Sequence, residues 1–414
     1  MKHALVAQSG GPTAAINATL AGVIRQCLAS DGVERVYGAL NGIEGLLEGR
    51  IIRLDDQIGG EDDLTLLAAT PAMALGSCRH RLPDPAEKPE LYARIHTILK
   101  QFGIGFFFYI GGNDSMDTAH KLSIYFASVG ADIRVIGLPK TIDNDLPVTD
   151  HTPGYGSASR YVAGTMAELY RDCSIYNVPA VTIVEVMGRH VGWLTAAAAV
   201  PRAFGLPAPH LVYLPEVAFD IDRFLTNVRA CLAQQNCVLV AVSEGIHTAD
   251  GTFVCDMEAS SIIDAFGHRQ LSGAGKALEH IVRREIGCKV RAVELNILQR
   301  CAGQLASACD REEAERAGRA AVQAALRGET GKLVYIRRLS NEPYRSEMDL
   351  CPLEDVANHE KAVPLGWINE DGNGVTGEAL AYILPLIRGR AEVPDGEYLP
   401  RHFTFDHTRL ARPE

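Results

Sequence analysis

The segment Pro139–Asp145 carries the densest group of side chains that could do chemistry. It reads Pro-Lys-Thr-Ile-Asp-Asn-Asp, so Asp143 and Asp145 stand two residues apart with Lys140 close by. Two carboxylates after an apolar run pack poorly and are costly to bury unpaired. One could accept a proton from an alcohol while the other organises a metal ion or water, and the lysine could attract a phosphate. A capped loop is the alternative, but these residue types favour a functional loop.

Two Gly-Gly pairs indicate turns that could approach phosphate groups. Gly10–Gly11 and Gly111–Gly112 each lie between an apolar run and a helical pattern. Glycine lets backbone N–H groups come close to an anion at the start of a helix. After the second pair, Asn113 or Asp114 could contact a magnesium–phosphate complex, because hard cations take oxygen ligands. The alternatives are a tight strand–helix turn at the first pair and a helix capped by Asp114 or Ser115 at the second.

Further polar residues follow other apolar runs and could bind a phosphate or a sugar. Arg189, in Met187-Gly188-Arg189, could fork onto a phosphate, and Glu244 could accept hydrogen bonds from sugar hydroxyls. Arg291 and Arg300 stand nine residues apart and could converge on one phosphate. Ordinary surface ion pairs and solvated arginines are equally compatible with these positions.

The elements that must position these residues alternate between strand and helix. Short apolar runs predict strands at His3–Gln8, Arg35–Ala39, Phe106–Ile110, Arg134–Leu138, Val181–Met187, Leu211–Leu214, Cys237–Ser243, Lys289–Leu295 and Leu333–Ile336. Amphipathic segments predict helices at Ala14–Ala29, Leu91–Phe102, Ser115–Val129, Ser157–Cys173, Ile221–Gln234, Leu271–Glu285 and Gln304–Leu326. Alternation of this kind predicts an α/β fold with parallel sheets covered on both faces. Ligands of such sheets lie beyond the carboxyl ends of the strands, where the polar segments fall.

Composition narrows the class of protein. The chain has 414 residues and a formal net charge of −11, which does not suggest a nucleic-acid or acidic-membrane partner. Its ten cysteines form no C-x-x-C pair and show no zinc or disulfide spacing, which is typical of reduced cytosolic thiols. No apolar stretch is long enough for a membrane span, and no signal peptide is evident. We therefore expect a soluble, cytoplasmic protein of two lobes.

In this order and spacing, the segments resemble the phosphofructokinase family. The resemblance rests on Gly10–Gly11, Gly111–Ser115, Thr141–Asp145, Met187–Arg189, Ser243–Gly245 and Gln299–Arg300. It implies two doubly wound, mainly parallel-sheet lobes with the active site in the cleft between them, plus a C-terminal extension. The expected division is 1–155 for the phosphate donor and magnesium, 156–300 for the sugar phosphate, and 301–414 for returning elements and the extension.

The resemblance also implies a role for each matching residue. Asp143 is expected to be the base that takes the proton from the 1-hydroxyl of fructose 6-phosphate, with Lys140 and Arg189 stabilising charge. The expected donor-site residues are Gly10, Gly11, Arg79, Gly112, Asp114 and Ser115, with Asn113 and Asp114 near Mg²⁺. The expected sugar-phosphate residues are Thr141, Ile142, Asp143, Met187, Gly188, Arg189, Glu244, Arg291 and Arg300.

Two positions bear on the identity of the donor. Where ATP-using relatives carry glycine, this chain has Asp114 and Lys140. The carboxylate would occupy and repel the place of a nucleotide α-phosphate, and the lysine would attract a compact donor. The resemblance therefore favours pyrophosphate over ATP. One departure concerns the metal, because Asn113 stands where an aspartate usually contacts magnesium and an amide oxygen is a weaker ligand for it.

These expectations combine into a pyrophosphate-dependent, reversible phosphorylation of fructose 6-phosphate in glycolysis or gluconeogenesis. An ATP-dependent phosphofructokinase and a non-catalytic sugar-phosphate-binding regulatory subunit are the alternatives. The resemblance implies a homodimer or homotetramer, and the charge and apolar pattern described above lead us to expect no nucleic-acid or membrane partner.

Overall fold

Apolar runs form most of the strands of this chain, and helices form between them. The computed structural model describes residues 2–257, 273–394 and 396–413. Two units are distinguished within it, one made of Met1–Ser157, Arg300–Lys361 and Ile387–Glu414 and the other of Ala158–Gln299 and Ala362–Leu386. The assignment of donor and sugar-phosphate roles to separate lobes stays a prediction.

The first unit is built on a seven-stranded sheet. Its strands are β1 (Lys2–Gln8), β2 (Val33–Ala39), β3 (Ile51–Arg53), β4 (Ile104–Gly111), β5 (Arg134–Pro139), β10 (Lys332–Asn341) and β11 (Tyr344–Pro352), in the order β11-β10-β5-β4-β1-β2-β3. The central pairs are parallel, whereas β10 with β11 and β2 with β3 are antiparallel. All eight residues of β4 are buried, as expected for a strand covered on both faces.

Helices cover this sheet on both sides. They are α1 (Ile16–Leu28), α2 (Gly42–Leu47), α3 (Glu61–Ala69), α4 (Pro89–Gln101), α5 (Asn113–Ser128) and α12 (Ala308–Arg327). Alternate residues of β1 belong to two different apolar clusters. Ala4 and Val6 lie in one cluster, and Leu5 and Ala7 lie in the other. Since neighbouring side chains of a strand point to opposite faces, the two clusters are the cores above and below the sheet.

α1 and α12 pack backbone against backbone. A β-carbon on Gly22 would lie 2.2 Å from the carbonyl oxygen of Glu315, and one on Gly318 would lie 2.2 Å from that of Thr19. No side chain fits at either glycine without moving a helix. A segment from the last third of the chain is therefore part of the core begun by the first thirty residues.

The second unit contains a four-stranded parallel sheet in the order β7-β8-β6-β9. Its strands are β6 (Ala180–Val186), β7 (Leu211–Tyr213), β8 (Cys237–Ser243) and β9 (Lys289–Glu294). Its helices include α7 (Trp193–Ala197), α8 (Ile221–Leu232), α9 (Val254–Met257), α10 (Ala274–Glu285) and α13 (Gly377–Leu386), while α6 (Tyr155–Cys173) and α11 (Leu298–Cys301) span the chain positions where the two units meet in sequence.

The α/β class and the parallel sheets are confirmed. All nine predicted strands are present, but β3 and β11 were not predicted. Of the predicted helix Leu271–Glu285, Leu271 and Ser272 lie outside the described residues and the rest forms α10. Among the described residues, no helix is both long and apolar enough to cross a membrane.

Candidate active site

The first Gly-Gly pair makes the turn that leaves β1. Gly10 has φ +80°, a conformation in which other residues are strained, and a β-carbon there would lie 3.1 Å from Nζ of Lys140. Ser77 Oγ donates to the carbonyl of Gly10 at 2.6 Å. Beneath the turn, Gln8 is buried and bonded to Asn17 at 3.1 Å, which fixes the end of the strand. These hydrogen bonds hold the turn in place, and without side chains at Gly10 and Gly11 its backbone N–H groups could come close to a phosphate.

Lys140 is a buried cation next to this turn. The residue is 1% exposed, and its Nζ donates to the carbonyl of Gly11 at 2.7 Å. Its backbone N–H donates to Gly111 at 2.9 Å, so it joins both glycine turns. Burial lowers the pKa of Lys140 to about 8, although Asp143 and Asp145 act in the opposite direction. A positive charge that is costly to bury is thus held where an anion could offset it.

Asp143 lies in the loop that follows. Thr141 Oγ1 donates to Asp143 Oδ2 at 3.3 Å and accepts from the Asp143 N–H at 3.1 Å. Burial raises the pKa of Asp143, and burial together with Asp143 raises that of Asp145 to about 7. Ile142 is 4% exposed, so its side chain is buried and its contact with a ligand stays a prediction. The loop offers a carboxylate adapted to accepting a proton.

Arg300 joins this group from a distant part of the sequence. Its Nη1 would lie 3.3 Å from a β-carbon on Gly11, and its charge acts on both Lys140 and Asp143. The buried Nε of Arg300 has no hydrogen-bond partner among the described residues. Two cations therefore stand beside the Gly10–Gly11 turn in a chain whose net charge is −11.

The second Gly-Gly pair leads into α5. The N-cap residue is Gly112, so the alternative that Asp114 or Ser115 caps this helix is wrong. Ser115 is buried instead, with its Oγ 2.5 Å from Ser9 Oγ, and a β-carbon on Gly111 would overlap it. The capping signal failed because Ser115 bonds the other glycine turn. Asp114 is exposed in the first turn of α5.

Asn113 bonds a segment from much later in the chain. Its Oδ1 accepts from the Asn358 N–H at 2.6 Å, and its Nδ2 donates to the carbonyl of His359 at 2.5 Å. Both ends of the amide are used within the protein. The expectation that Asn113 contacts magnesium stays a prediction.

Arg79 follows a segment that touches the first turn. The Gly10 N–H donates to the carbonyl of Cys78 at 3.3 Å, and Arg79 is exposed next to it. The structure thus places the backbone before Arg79 beside Gly10, and the contact of its guanidinium with a donor stays a prediction.

Four expected sugar-phosphate residues lie at the ends of strands β6 and β8 in the second unit. Gly188 has φ +131°, and its N–H donates to Glu244 Oε1 at 3.2 Å. Arg189 is exposed, with its guanidinium 5.3 Å from the ring centre of Phe253, and the Met187 N–H donates to the side chain of Gln299 at 3.3 Å. These hydrogen bonds bring Met187, Gly188 and Glu244 together, with Arg189 next in the chain.

Arg291 is exposed on β9 and belongs to the second unit, whereas Arg300 belongs to the first. Convergence of these two arginines on one phosphate stays a prediction.

Sequence reasoning missed Glu185, which lies on β6 two residues before Met187. Its Oε2 accepts from the Gly275 N–H at 2.7 Å. Burial, with help from Glu294 and Glu244, raises the pKa of Glu185 to about 7. One signal in the sequence could have revealed Glu185, because a carboxylate stands there among the β-branched residues of a predicted strand.

A buried ion network behind the acidic loop was also missed. His151 is 1% exposed, and its ring nitrogens lie 2.7 Å from Asp150 Oδ2 and 2.7 Å from Glu313 Oε2. Burial alone would lower the pKa of His151, but Glu313 and Asp150 raise it to about 9. Despite burial, His151 lowers the pKa of Glu313 to about 2. Arg338, from β10, donates to Asp150 at 2.8 Å, so the network ties the loop to the late strands.

Whether a magnesium ion fits this site depends on which carboxylate oxygen atoms are available to bind it. Within the described ranges, no three His, Cys, Asp or Glu side chains are grouped so that they could hold a metal by themselves. Mg²⁺ usually binds one or two carboxylates and takes its other ligands from phosphates and water. The buried Oδ1 of Asp145 has no hydrogen-bond partner among the described residues, and Asp114 is exposed. Either carboxylate fits an ion that arrives with a phosphate substrate.

Comparison with known proteins identifies the family. Residues 3–325 match the family model described as Phosphofructokinase. A pyrophosphate–fructose 6-phosphate 1-phosphotransferase of Xanthomonas campestris is 41% identical, with 99% of this chain and 97% of the relative covered. A relative of the same name from Halomonas elongata is 39% identical, with 96% of this chain and 95% of the relative covered. The crystal structure of a pyrophosphate-dependent phosphofructokinase from Marinobacter aquaeolei superposes with a TM-score of 0.88 at 34% identity, covering 100% of this chain and 98% of that one. This chain belongs to the phosphofructokinase family.

Proposed function

We propose that this chain is a phosphotransferase that phosphorylates fructose 6-phosphate at O1 with pyrophosphate, giving fructose 1,6-bisphosphate and phosphate. The relatives that match nearly the whole chain carry this activity in their names. The observation that carries the proposal is the buried ammonium of Lys140 on the Gly10–Gly11 turn, with Asp143 in the loop that follows. A charge held there at a cost in desolvation is explained by an anionic substrate.

In the proposed reaction Asp143 is the base. Its carboxylate takes the proton from O1 as O1 attacks one phosphorus of pyrophosphate. The new O1–P bond forms while the bridging P–O bond breaks, and the second phosphate leaves with the electron pair. Burial raises the pKa of Asp143 towards the range in which a carboxylate is an effective base.

The cations and backbone N–H groups of the site stabilise the phosphoryl charge. Lys140 and Arg300 act beside the first glycine turn, and Arg189 is proposed as a further cation that stabilises charge. Phosphoryl transfer depends mostly on such positioning and charge stabilisation. The remaining proposed donor contacts are Gly10, Gly11, Arg79, Gly112, Asp114 and Ser115, and the remaining sugar-phosphate contacts are Thr141, Ile142, Met187, Gly188, Glu244 and Arg291.

Magnesium is proposed as the cofactor. When bound, it would neutralise charge on the phosphate oxygens, with Asp145 or Asp114 as its protein ligand and Asn113, whose amide is hydrogen-bonded at both ends, next to the site.

Pyrophosphate is proposed as the donor because Asp114 and Lys140 replace two glycines of the ATP-using relatives. An exposed carboxylate at the start of α5 repels an additional phosphate, while the ammonium attracts a compact, highly charged donor. Reaction in the cytoplasm, reversibility and a homodimeric or homotetrameric assembly complete the proposal. The cytoplasm is proposed because charged sugar phosphates do not cross membranes unaided.

The test is a comparison of donors on the purified protein. Initial rates of fructose 1,6-bisphosphate formation would be measured with pyrophosphate and with ATP at equal free Mg²⁺. We expect kcat/KM for pyrophosphate to exceed that for ATP by at least a hundredfold. A higher value for ATP would overturn the choice of donor, and binding of fructose 6-phosphate without turnover of either donor would overturn catalysis.

A further inference from the structure

The four residues Asn358–Lys361, called here the C-terminal tether, lie beyond the part of the chain that matches the family model, which ends at residue 325. In the structure they contact both the first residues of α5, directly after the Gly111–Gly112 turn, and the loop that carries Asp143. All these elements belong to the first unit.

One end of the tether is bound to Asn113. The amide accepts a hydrogen bond from the Asn358 N–H and donates one to the carbonyl of His359, at 2.6 and 2.5 Å. An ionised carboxylate in its place could accept the first bond but would face the carbonyl of His359 without a proton to donate. The Asn358 side chain adds a bond to Asp117 of α5 at 3.0 Å.

The other end of the tether is bound to the acidic loop. The Lys361 N–H donates to the carbonyl of Asp145 at 2.7 Å. Lys361 Nζ donates to the carbonyls of Thr149 and Asp150 at 3.0 and 2.8 Å. A single lysine thus holds three carbonyls between two and seven residues after Asp143.

We propose that the C-terminal tether fixes the position of the Asp143 loop relative to the Gly111–Gly112 turn, with Asn113 and Lys361 as positioning residues. This inference rests on the proposed function. It gives a physical reason for asparagine at position 113, where the family resemblance implies an acidic metal ligand. The amide is needed for the tether. Displacement of a reacting group by about 1 Å can cost about 10²-fold in rate, so loss of the tether lowers kcat.

The test compares four substitutions under saturating Mg²⁺. We expect Asn113→Asp and Lys361→Met each to lower kcat by about ten- to a hundredfold, with KM for pyrophosphate changed less than threefold. Lys361→Arg, which can still donate to the carbonyls, is expected to recover most of kcat. Lys332→Met, at a half-buried lysine on β10, is the matched control and is expected to keep wild-type kcat.

Two further measurements separate positioning from general damage and from metal binding. The double variant Asn113→Asp/Lys361→Met should lose less than the product of the two single losses, because both changes weaken the same tether. Hydrogen exchange of residues 141–154, followed by mass spectrometry, should accelerate in Lys361→Met but not in the control. This readout needs no activity.

The inference is overturned if Asn113→Asp raises activity and lowers the Mg²⁺ concentration for half-maximal rate, since Asn113 would then act at the metal. It is also overturned if Lys361→Met keeps kcat within threefold and leaves exchange in the loop unchanged. Absence of pyrophosphate-dependent turnover in the wild type would instead refute the proposed function. In that case the exchange measurement still decides whether the tether holds the loop.

Discussion

Replacement of Lys140 by methionine tests the charge on which the proposed donor site depends. Lys140→Met keeps a side chain of similar length but removes the ammonium. The position is 1% exposed, and burial already opposes the charge, so we expect the melting temperature to stay the same or to rise. Any loss of activity would then report on the substrate rather than on folding.

The size of the effect follows from the geometry of the turn. Nζ lies 2.7 Å from the carbonyl of Gly11 and would lie 3.1 Å from a β-carbon on Gly10. A phosphate oxygen against this turn therefore lies within about 4 Å of the ammonium, where a unit charge pair at an effective dielectric constant of about 20 is worth ~4 kcal/mol. At ~1.4 kcal/mol for each factor of ten, kcat/KM for pyrophosphate should fall by about 10²- to 10³-fold.

The assay is the pH dependence of kcat/KM for pyrophosphate in wild type and Lys140→Met. Because the pKa of Lys140 is lowered to about 8, the ammonium is present below pH 8 and is lost as the pH rises through that value. The wild-type value should decline above pH 8, and the variant should lack this decline. Lys2→Met, which breaks a surface ion pair with Asp132, is the control and should behave as wild type. A loss smaller than threefold in Lys140→Met would refute the reasoning.

Three other variants test separate parts of the site and of the ion network beside it. Asp143→Asn should lower kcat by about 10²- to 10⁴-fold while calorimetry shows unchanged binding of fructose 6-phosphate, and retention of more than a tenth of the activity would exclude Asp143 as the base. Asp114→Gly combined with Lys140→Gly should raise the ratio of ATP to pyrophosphate turnover, and an unchanged ratio would locate donor selection elsewhere. Glu313→Gln should lower the free energy of unfolding by about 3–5 kcal/mol at pH 6, because it leaves the buried His151 cation short of a partner. The stabilisation from His151 is complete below pH 6.5 and is lost as the pH rises through about 9. Urea unfolding at pH 10 should therefore show a smaller difference in free energy of unfolding between wild type and Glu313→Gln. An equal difference at pH 6 and pH 10 would contradict the assignment.

Local sequence patterns predicted the elements whose apolar period is strong. β4 and β8 are continuous apolar runs, and the predicted boundaries of these two strands agree with the structure within two residues. β11 was missed because its sequence, Tyr-Arg-Ser-Glu-Met-Asp-Leu-Cys-Pro, is largely polar, as befits an edge strand that pairs with β10 alone. β3 is only three residues long, too short for any period.

The limits of sequence reasoning at the site have a different cause. Lys140, Asp143 and the glycine turns are adjacent in sequence to strong strand signals, so their meeting at one sheet edge could be predicted. The partners of Asn113 lie about 245 residues away at Asn358 and His359, in a segment without regular structure. No local pattern signals such a contact. Pairing of His151 with Glu313, 162 residues apart, was invisible for the same reason.

The backbone contact of α1 with α12 at Gly22 and Gly318 has a consequence for protein synthesis. The ribosome must translate all of 158–299 before α12, β10 and β11 exist, which at about 5–20 residues per second takes roughly 7–28 s. Throughout that interval β5 has no neighbour on one side, and the surface of α1 that will receive α12 is exposed to water. Because α12, β10 and β11 are translated late, we expect the nascent amino-terminal sheet to be prone to aggregation. We also expect the yield of folded protein in cells to depend on chaperones that cover this surface until translation passes Pro352.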